Sequence, residues 1–135
     1  AWSVGESGEC ELLDQPPGSL QLLEYYGYCT AENEVYRNTV AWIHSVDNPH
    51  YYGVGPFAAP YCEHSPFPWV LSICYELING NREKALKQLS EATLDNGIAC
   101  ETIDPDTGWV KTGAAFATCA GFLTYSLALA LQVAE

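Results

Sequence analysis

Along the 135 residues, apolar stripes at helical spacing alternate with irregular aromatic stretches. Residues 1–13 are rich in Gly and Glu and read as an irregular lead-in. Asp14-Gln15-Pro16-Pro17 is a helix-start signal, a capping acid followed by prolines that a first turn tolerates. Leu20, Leu22, Leu23 and Tyr26 carry that helix toward Tyr28. Thr30 or Asn33 caps a second helix, in which Tyr36, Val40 and Ile43 form a stripe widened by Val35 and Trp42. Asp47-Asn48-Pro49 stops it. Ser65-Pro66 opens a third helix, Phe67 to Ile78, apolar nearly all round and ended by Asn79-Gly80. The fourth, Arg82 to Leu94, turns Leu86, Leu89 and Thr93 inward. Its Glu83, Lys84, Lys87, Gln88 and Glu91 face water, with Glu83 and Lys87 a favourable i,i+4 pair. Ile98 to Ile103 is a short extended piece, Asp104-Pro105-Asp106-Thr107-Gly108 a turn, and a last helix runs from Gly113 to Val133.

A helix apolar on all sides is buried, whereas an amphipathic one keeps an outer face. The third and fourth helices therefore form an inner–outer αα-hairpin. The pattern predicts an all-α fold in which αα-hairpins build part of an (α/α) barrel, with long aromatic loops. Residues 1–135 form one helical domain, the C-terminal part of a larger (α/α)6-barrel protein. Half a ring leaves apolar edges open, and such edges need a partner. The longest loop, residues 46–64, is too apolar for a linker, and loops of this length in compact domains are usually functional.

Charge narrows the partners. The formal net charge is −12 with only 5 Lys+Arg, which excludes nucleic acid and an anionic membrane surface as ligands. Thr112 to Ala134 is uncharged and long enough to span a bilayer, but its many small residues, its Thr and Ser, and the lack of basic flanks after it argue for helix packing. There is no Met, and the start has neither a basic nor an apolar signal region. The chain thus reads as soluble and excised or processed from a longer one, with no signal peptide of its own.

Six cysteines, none at CxxC spacing, argue against a structural zinc site and leave disulfides open; Cys74 and Cys119 fall in apolar helical patterns as small buried hydrophobes. Three histidines without HxxxH or HExxH spacing give no metal site. Asp104 to Gly108 resembles half a calcium loop, but its twelfth position is Ala115, so the bidentate acid is missing. No cofactor is expected.

Three acids have unusual surroundings: Asp14 before a double proline, Glu76 inside an apolar helix, and Glu101 between Ile98-Ala99-Cys100 and Thr102-Ile103. Glu76 reads as a satisfied buried acid and Asp14 as a cap or a sugar ligand. Glu101 is the catalytic candidate, because a partly desolvated carboxylate suits a general base. His64 is a hydrogen-bonding loop residue. Nine Tyr and four Trp are many for this length. Tyr51, Tyr52, Trp69 and Trp109 fall in loops or at helix starts, where ring faces can receive the C–H face of a sugar. Carbohydrate is the ligand class this composition favours.

Leu13-Asp14-Gln15-Pro16-Pro17-Gly18-Ser19-Leu20, Tyr25-Tyr26-Gly27-Tyr28, Tyr36-Arg37-Asn38-Thr39, Asp47-Asn48-Pro49-His50-Tyr51-Tyr52, Glu63-His64-Ser65-Pro66, Cys100-Glu101-Thr102 and Phe116-Ala117-Thr118-Cys119-Ala120 follow one another in a familiar order. That order resembles the metal-independent exo-α-mannosidases of glycoside hydrolase family 125. The resemblance covers most of this chain and the C-terminal third of the family's length. It implies a six-hairpin fold, hydrolysis of α-1,6-linked mannose with inversion, and Glu101 as the base, with the family's acid upstream of the residues here. It also implies His64 and the aromatic loop along the sugar subsite. Cys100 replaces the His that precedes the family's catalytic Glu. Two expectations follow. One is a glycoside hydrolase part, inactive as this chain alone. The other is a non-catalytic helical binding or assembly module that pairs with the rest of its protein, or with itself, through the apolar edge.

Overall fold

The computed structural model describes residues 2–4, 6–94 and 96–131. Four helices carry it: α1 (Glu34–Ile43), α2 (Val70–Asn79), α3 (Arg82–Glu91) and α4 (Ala117–Leu131). Three two-stranded antiparallel ribbons join them: β1 (Trp2–Val4) with β2 (Cys10–Leu12), β3 (Tyr51–Tyr52) with β4 (Ala59–Pro60), and β5 (Thr102–Ile103) with β6 (Val110–Thr112). The class is helical with small ribbons, so the fold is not all-α; of their strands only β5 falls in a segment expected to be extended, Ile98 to Ile103.

α2 is the centre. Every residue from Val70 to Leu77 is buried, and α4, α3 and the 3-10 turn Leu20–Leu22 pack around it. Val70, Ile73 and Leu77 are at most 1% exposed. Burying a side chain of that size contributes about 1.5–3 kcal/mol. Gly80 ends α2 where a Cβ would lie 2.8 Å from the Glu76 carboxyl carbon, so only glycine fits. Asn81 then caps α3, accepting from Lys84 N at 3.0 Å. The α2–α3 pair is the inner–outer hairpin read from the sequence.

Several boundaries differ. Residues 1–13 contain a hairpin rather than an irregular lead-in. The helix expected from Leu20 to Tyr28 shrinks to the 3-10 turn, whose first residues Asp14 and Ser19 cap, and a series of turns. α2 starts at Val70 because Pro68 and Trp69 lie extended against β5. α4 starts at Ala117, four residues late, because Thr112 and Gly113 pair with Glu101; its expected end at Val133 lies outside the described residues.

The buried side of α3 is also rotated from the expected one. Ala85 and Gln88 are buried and Thr93 is exposed. The aromatic loop lies over that side: Gln88 Nε2 donates to Pro56 O at 2.9 Å and Lys84 Nζ to Ala58 O at 3.3 Å. Val35, expected to widen the α1 stripe, is 75% exposed.

Candidate functional site

The Glu101 carboxylate sits where three segments meet. Its backbone N–H donates to Gly113 O at 3.0 Å, and its carbonyl accepts from Val70 N at 3.1 Å, at the start of α2. Ile103 N donates to Pro68 O at 2.9 Å, so β5 is held between the α2 entrance and β6. The carboxylate is thereby fixed by backbone on both sides. Its side chain keeps 14% of its surface exposed.

Oε2 of Glu101 accepts two hydroxyls, Thr112 Oγ1 at 2.7 Å and Ser65 Oγ at 2.9 Å. Thr102 Oγ1 lies 2.6 Å from Thr112 Oγ1 behind them. Oε1 faces His64 Nε2 at 3.5 Å, and that imidazole is 65% exposed. The His64 ring stands edge-on to Trp69, with centroids 5.4 Å apart, and Trp69 in turn meets Phe116. Trp69 is buried, with its indole N–H donating to Ser65 O at 3.0 Å. Its ring is therefore a wall of the site rather than an open platform.

Of the residues expected to act together, Glu101, His64 and Trp69 form this cluster. Asp14 lines a separate cavity of about 400 Å³ with Leu12, Leu20, Trp42 and Ile43. Burial pushes the Asp14 carboxyl above its ordinary range, against the Leu20 N–H that it accepts at 3.1 Å. Tyr51 and Tyr52 line a third hollow of about 390 Å³ with Tyr61 and Asp106, and Trp109 stands 68% exposed on β5–β6. Glu101 lines none of these cavities; it opens at the surface beside His64.

Pattern reading missed Ser65, Thr102 and Thr112. Single hydroxyls carry no periodic signal: the β5–β6 register sets Thr102 opposite Thr112, and Ser65 reaches the acid from the turn it forms with Cys62.

Two further polar centres are structural. Burial alone would push the Glu76 carboxyl up. The hydrogen bond and charge of His44 (Nε2 at 2.8 Å), the Asn81 N–H and the Gln21 amide outweigh it and hold the group at about 2. Asp104 is held below the usual carboxylate range by Lys111 at 2.9 Å and by the Thr107 and Asp106 N–H groups. Lys111 thus supplies the positive charge beside Asp104. Among the described residues no group of three metal-ligating side chains converges. The six cysteines form no disulfide among the described residues, and burial pushes the Cys74 and Cys119 thiols up to about 12. No described helix is long and apolar enough to cross a membrane.

The family comparison supports a glycoside hydrolase scaffold. The chain belongs to the metal-independent α-mannosidases of family GH125, which it matches over residues 1–124. Among solved structures it is similar to a Streptococcus pneumoniae metal-independent α-mannosidase in non-productive substrate complex with α-1,6-mannobiose. That match has a TM-score of 0.72 at 18% identity and covers 99% of this chain and 36% of the other. The chain thus spans about a third of that mannosidase. No curated protein matches the sequence.

Proposed function

We propose that this chain is the base-bearing part of an inverting glycoside hydrolase acting on α-mannosides, with Glu101 as general base and His64 at the edge of the sugar site. The observation that carries the reading is the Glu101 carboxylate, with one oxygen saturated by two hydroxyls and the other turned to the exposed imidazole. Membership of GH125 supports the chemistry.

Inversion needs an acid and a base roughly 6.5–9.5 Å apart, with a water between the base and the sugar. The acid and the missing walls of the cleft are proposed to lie in the stretch of a family barrel that this chain does not span. That accounts for Glu101 opening at the surface here rather than into a closed cavity. Glu101→Gln in a protein that joins this chain to such a stretch should lower hydrolysis of α-1,6-mannobiose by about 10²–10⁴-fold, and the wild type should release the inverted anomer first. An unchanged rate in that variant would leave the second reading, a non-catalytic helical binding or assembly module. The outer face of α4 favours that second reading, with Tyr125 and Leu129 at 44% and 41% exposed.

A further inference from the structure

We infer that Ser65, Thr112 and Thr102 form a positioning relay that assigns the two oxygens of Glu101 different tasks, Oε2 to be held and Oε1 to take the proton. The inference rests on the reading of Glu101 as the base and deepens it.

A hydroxyl has one proton to donate. Oε2 has hydroxyl oxygens at 2.7 Å and 2.9 Å, and an ionised carboxylate is acceptor-only, so Thr112 and Ser65 must each direct their proton to it. Thr112 has then spent its proton. The 2.6 Å contact with Thr102 is a hydrogen bond only if Thr102 donates to Thr112. The 3.1 Å contact between Ser65 and Thr112 is left as an approach of two oxygens already committed. Every hydroxyl proton in the cluster therefore has one place, and the direction runs Thr102 to Thr112 to Oε2.

The three residues stand on rigid supports. Thr102 and Thr112 are opposite each other in the β5–β6 ribbon. Ser65 is buried, and its N–H donates to Cys62 O at 3.0 Å. Gly113 closes the arrangement: a Cβ there would lie 2.7 Å from the Glu101 Cβ. The acid thus cannot rotate to exchange its oxygens without breaking two charge-assisted hydrogen bonds. Oε1, with no hydroxyl of its own and the His64 Nε2 3.5 Å away, is the oxygen presented outward. A water on that side would give its proton to Oε1 as its oxygen attacks the anomeric carbon. The bond from that carbon to the leaving oxygen breaks, and the acid elsewhere in the barrel protonates the leaving group.

The test has two arms. In the isotope-labelled 135-residue chain, the Thr112 and Ser65 hydroxyl protons should give slowly exchanging resonances coupled to the Glu101 side-chain carboxyl carbon. Thr112→Val should remove the first of these, and Thr112→Ser should keep it. A folded wild-type chain without either resonance overturns the relay, whatever Glu101 does in catalysis. The second arm uses the barrel-completed protein with α-1,6-mannobiose. Thr112→Val should lower kcat by about tenfold or more with KM within about twofold, and Thr112→Ser should restore most of it. If Glu101→Gln abolishes turnover while Thr112→Val and Ser65→Ala leave kcat unchanged, the base reading survives and the relay is refuted. If Glu101→Gln leaves turnover intact, the base reading itself fails, and the relay falls with it as a catalytic device.

Discussion

Gly113 has φ at +55°, a left-handed backbone that a side chain enters at a cost, and its missing Cβ makes room for Glu101. Gly113→Ala should therefore destabilise the chain by about 1–3 kcal/mol in urea unfolding, and should weaken the Thr112 and Ser65 contacts by displacing the acid. The same residue shows what one sequence conceals. Glu101 stood out because its neighbours are apolar, and His64 because it falls in Glu63-His64-Ser65-Pro66, one of the segments that carry the family resemblance. Gly113, Ser65, Thr102 and Thr112 are ordinary in composition. Thr102, Thr112 and the adjoining Gly113 gain their weight from a ribbon of two and three residues, and Ser65 from its turn with Cys62; segments that short leave no alternation to read. Tyr51, Tyr52 and Trp109 carry the right chemistry for sugar, yet Tyr51 and Tyr52 line a hollow that Glu101 does not share, and Trp109 stands exposed on the β5–β6 turn. Aromatic content reports ring faces, not where they converge.

At the level of elements, the α2–α3 hairpin was legible because one helix is apolar all round and the next is not. The face of α3 was not, since the aromatic loop that covers Gln88 sits far away in sequence. The Glu76 centre, which ties α2 to His44 just after α1, makes a separate prediction. Its folded-state value of about 2 lies below the ordinary 4.5, so it contributes stability that is complete above 4.5 and is lost as pH falls through 2. Glu76→Gln should cost about 3 kcal/mol at neutral pH, because His44 and the Asn81 N–H lose their charged partner. Urea unfolding from neutral pH to about pH 3 should show the wild type and the variant converging as acid is added. Parallel curves would remove the ionised Glu76 from the account.

For the whole molecule, the outer face of α4 is the feature that a partner must meet. Tyr125 and Leu129 are exposed there, Leu131 is exposed at the end of the helix, and Val35 and Tyr28 are exposed at the α1 end, at 75% and 80%. The chain as it stands should self-associate at concentrations where its net charge of −12 does not prevent contact, and more so as salt screens that charge. Sedimentation should show the association, and Tyr125→Glu with Leu129→Glu should return a monomer. A wild-type monomer at high salt would show that these side chains drive nothing. Open edges were foreseeable from the count of helices in the sequence. Which faces they occupy was not, because α4 is apolar on every side and its pattern does not tell the inner face from the outer.

From Val70 to Leu77, α2 is buried on every side. Its amides are screened by α3 on one flank, α4 on another and the Leu20–Leu22 turn on a third, so no single neighbour can swing away and leave it intact. In deuterated solvent its N–H groups should be the last to exchange, at a rate set by the opening of the entire chain, while β1, β2 and the rim of α4 exchange through local fluctuation. The Glu101 backbone carbonyl accepts from the first amide of that helix, Val70, so the acid shares its rigidity. Whatever loosens α2 loosens the acid with it.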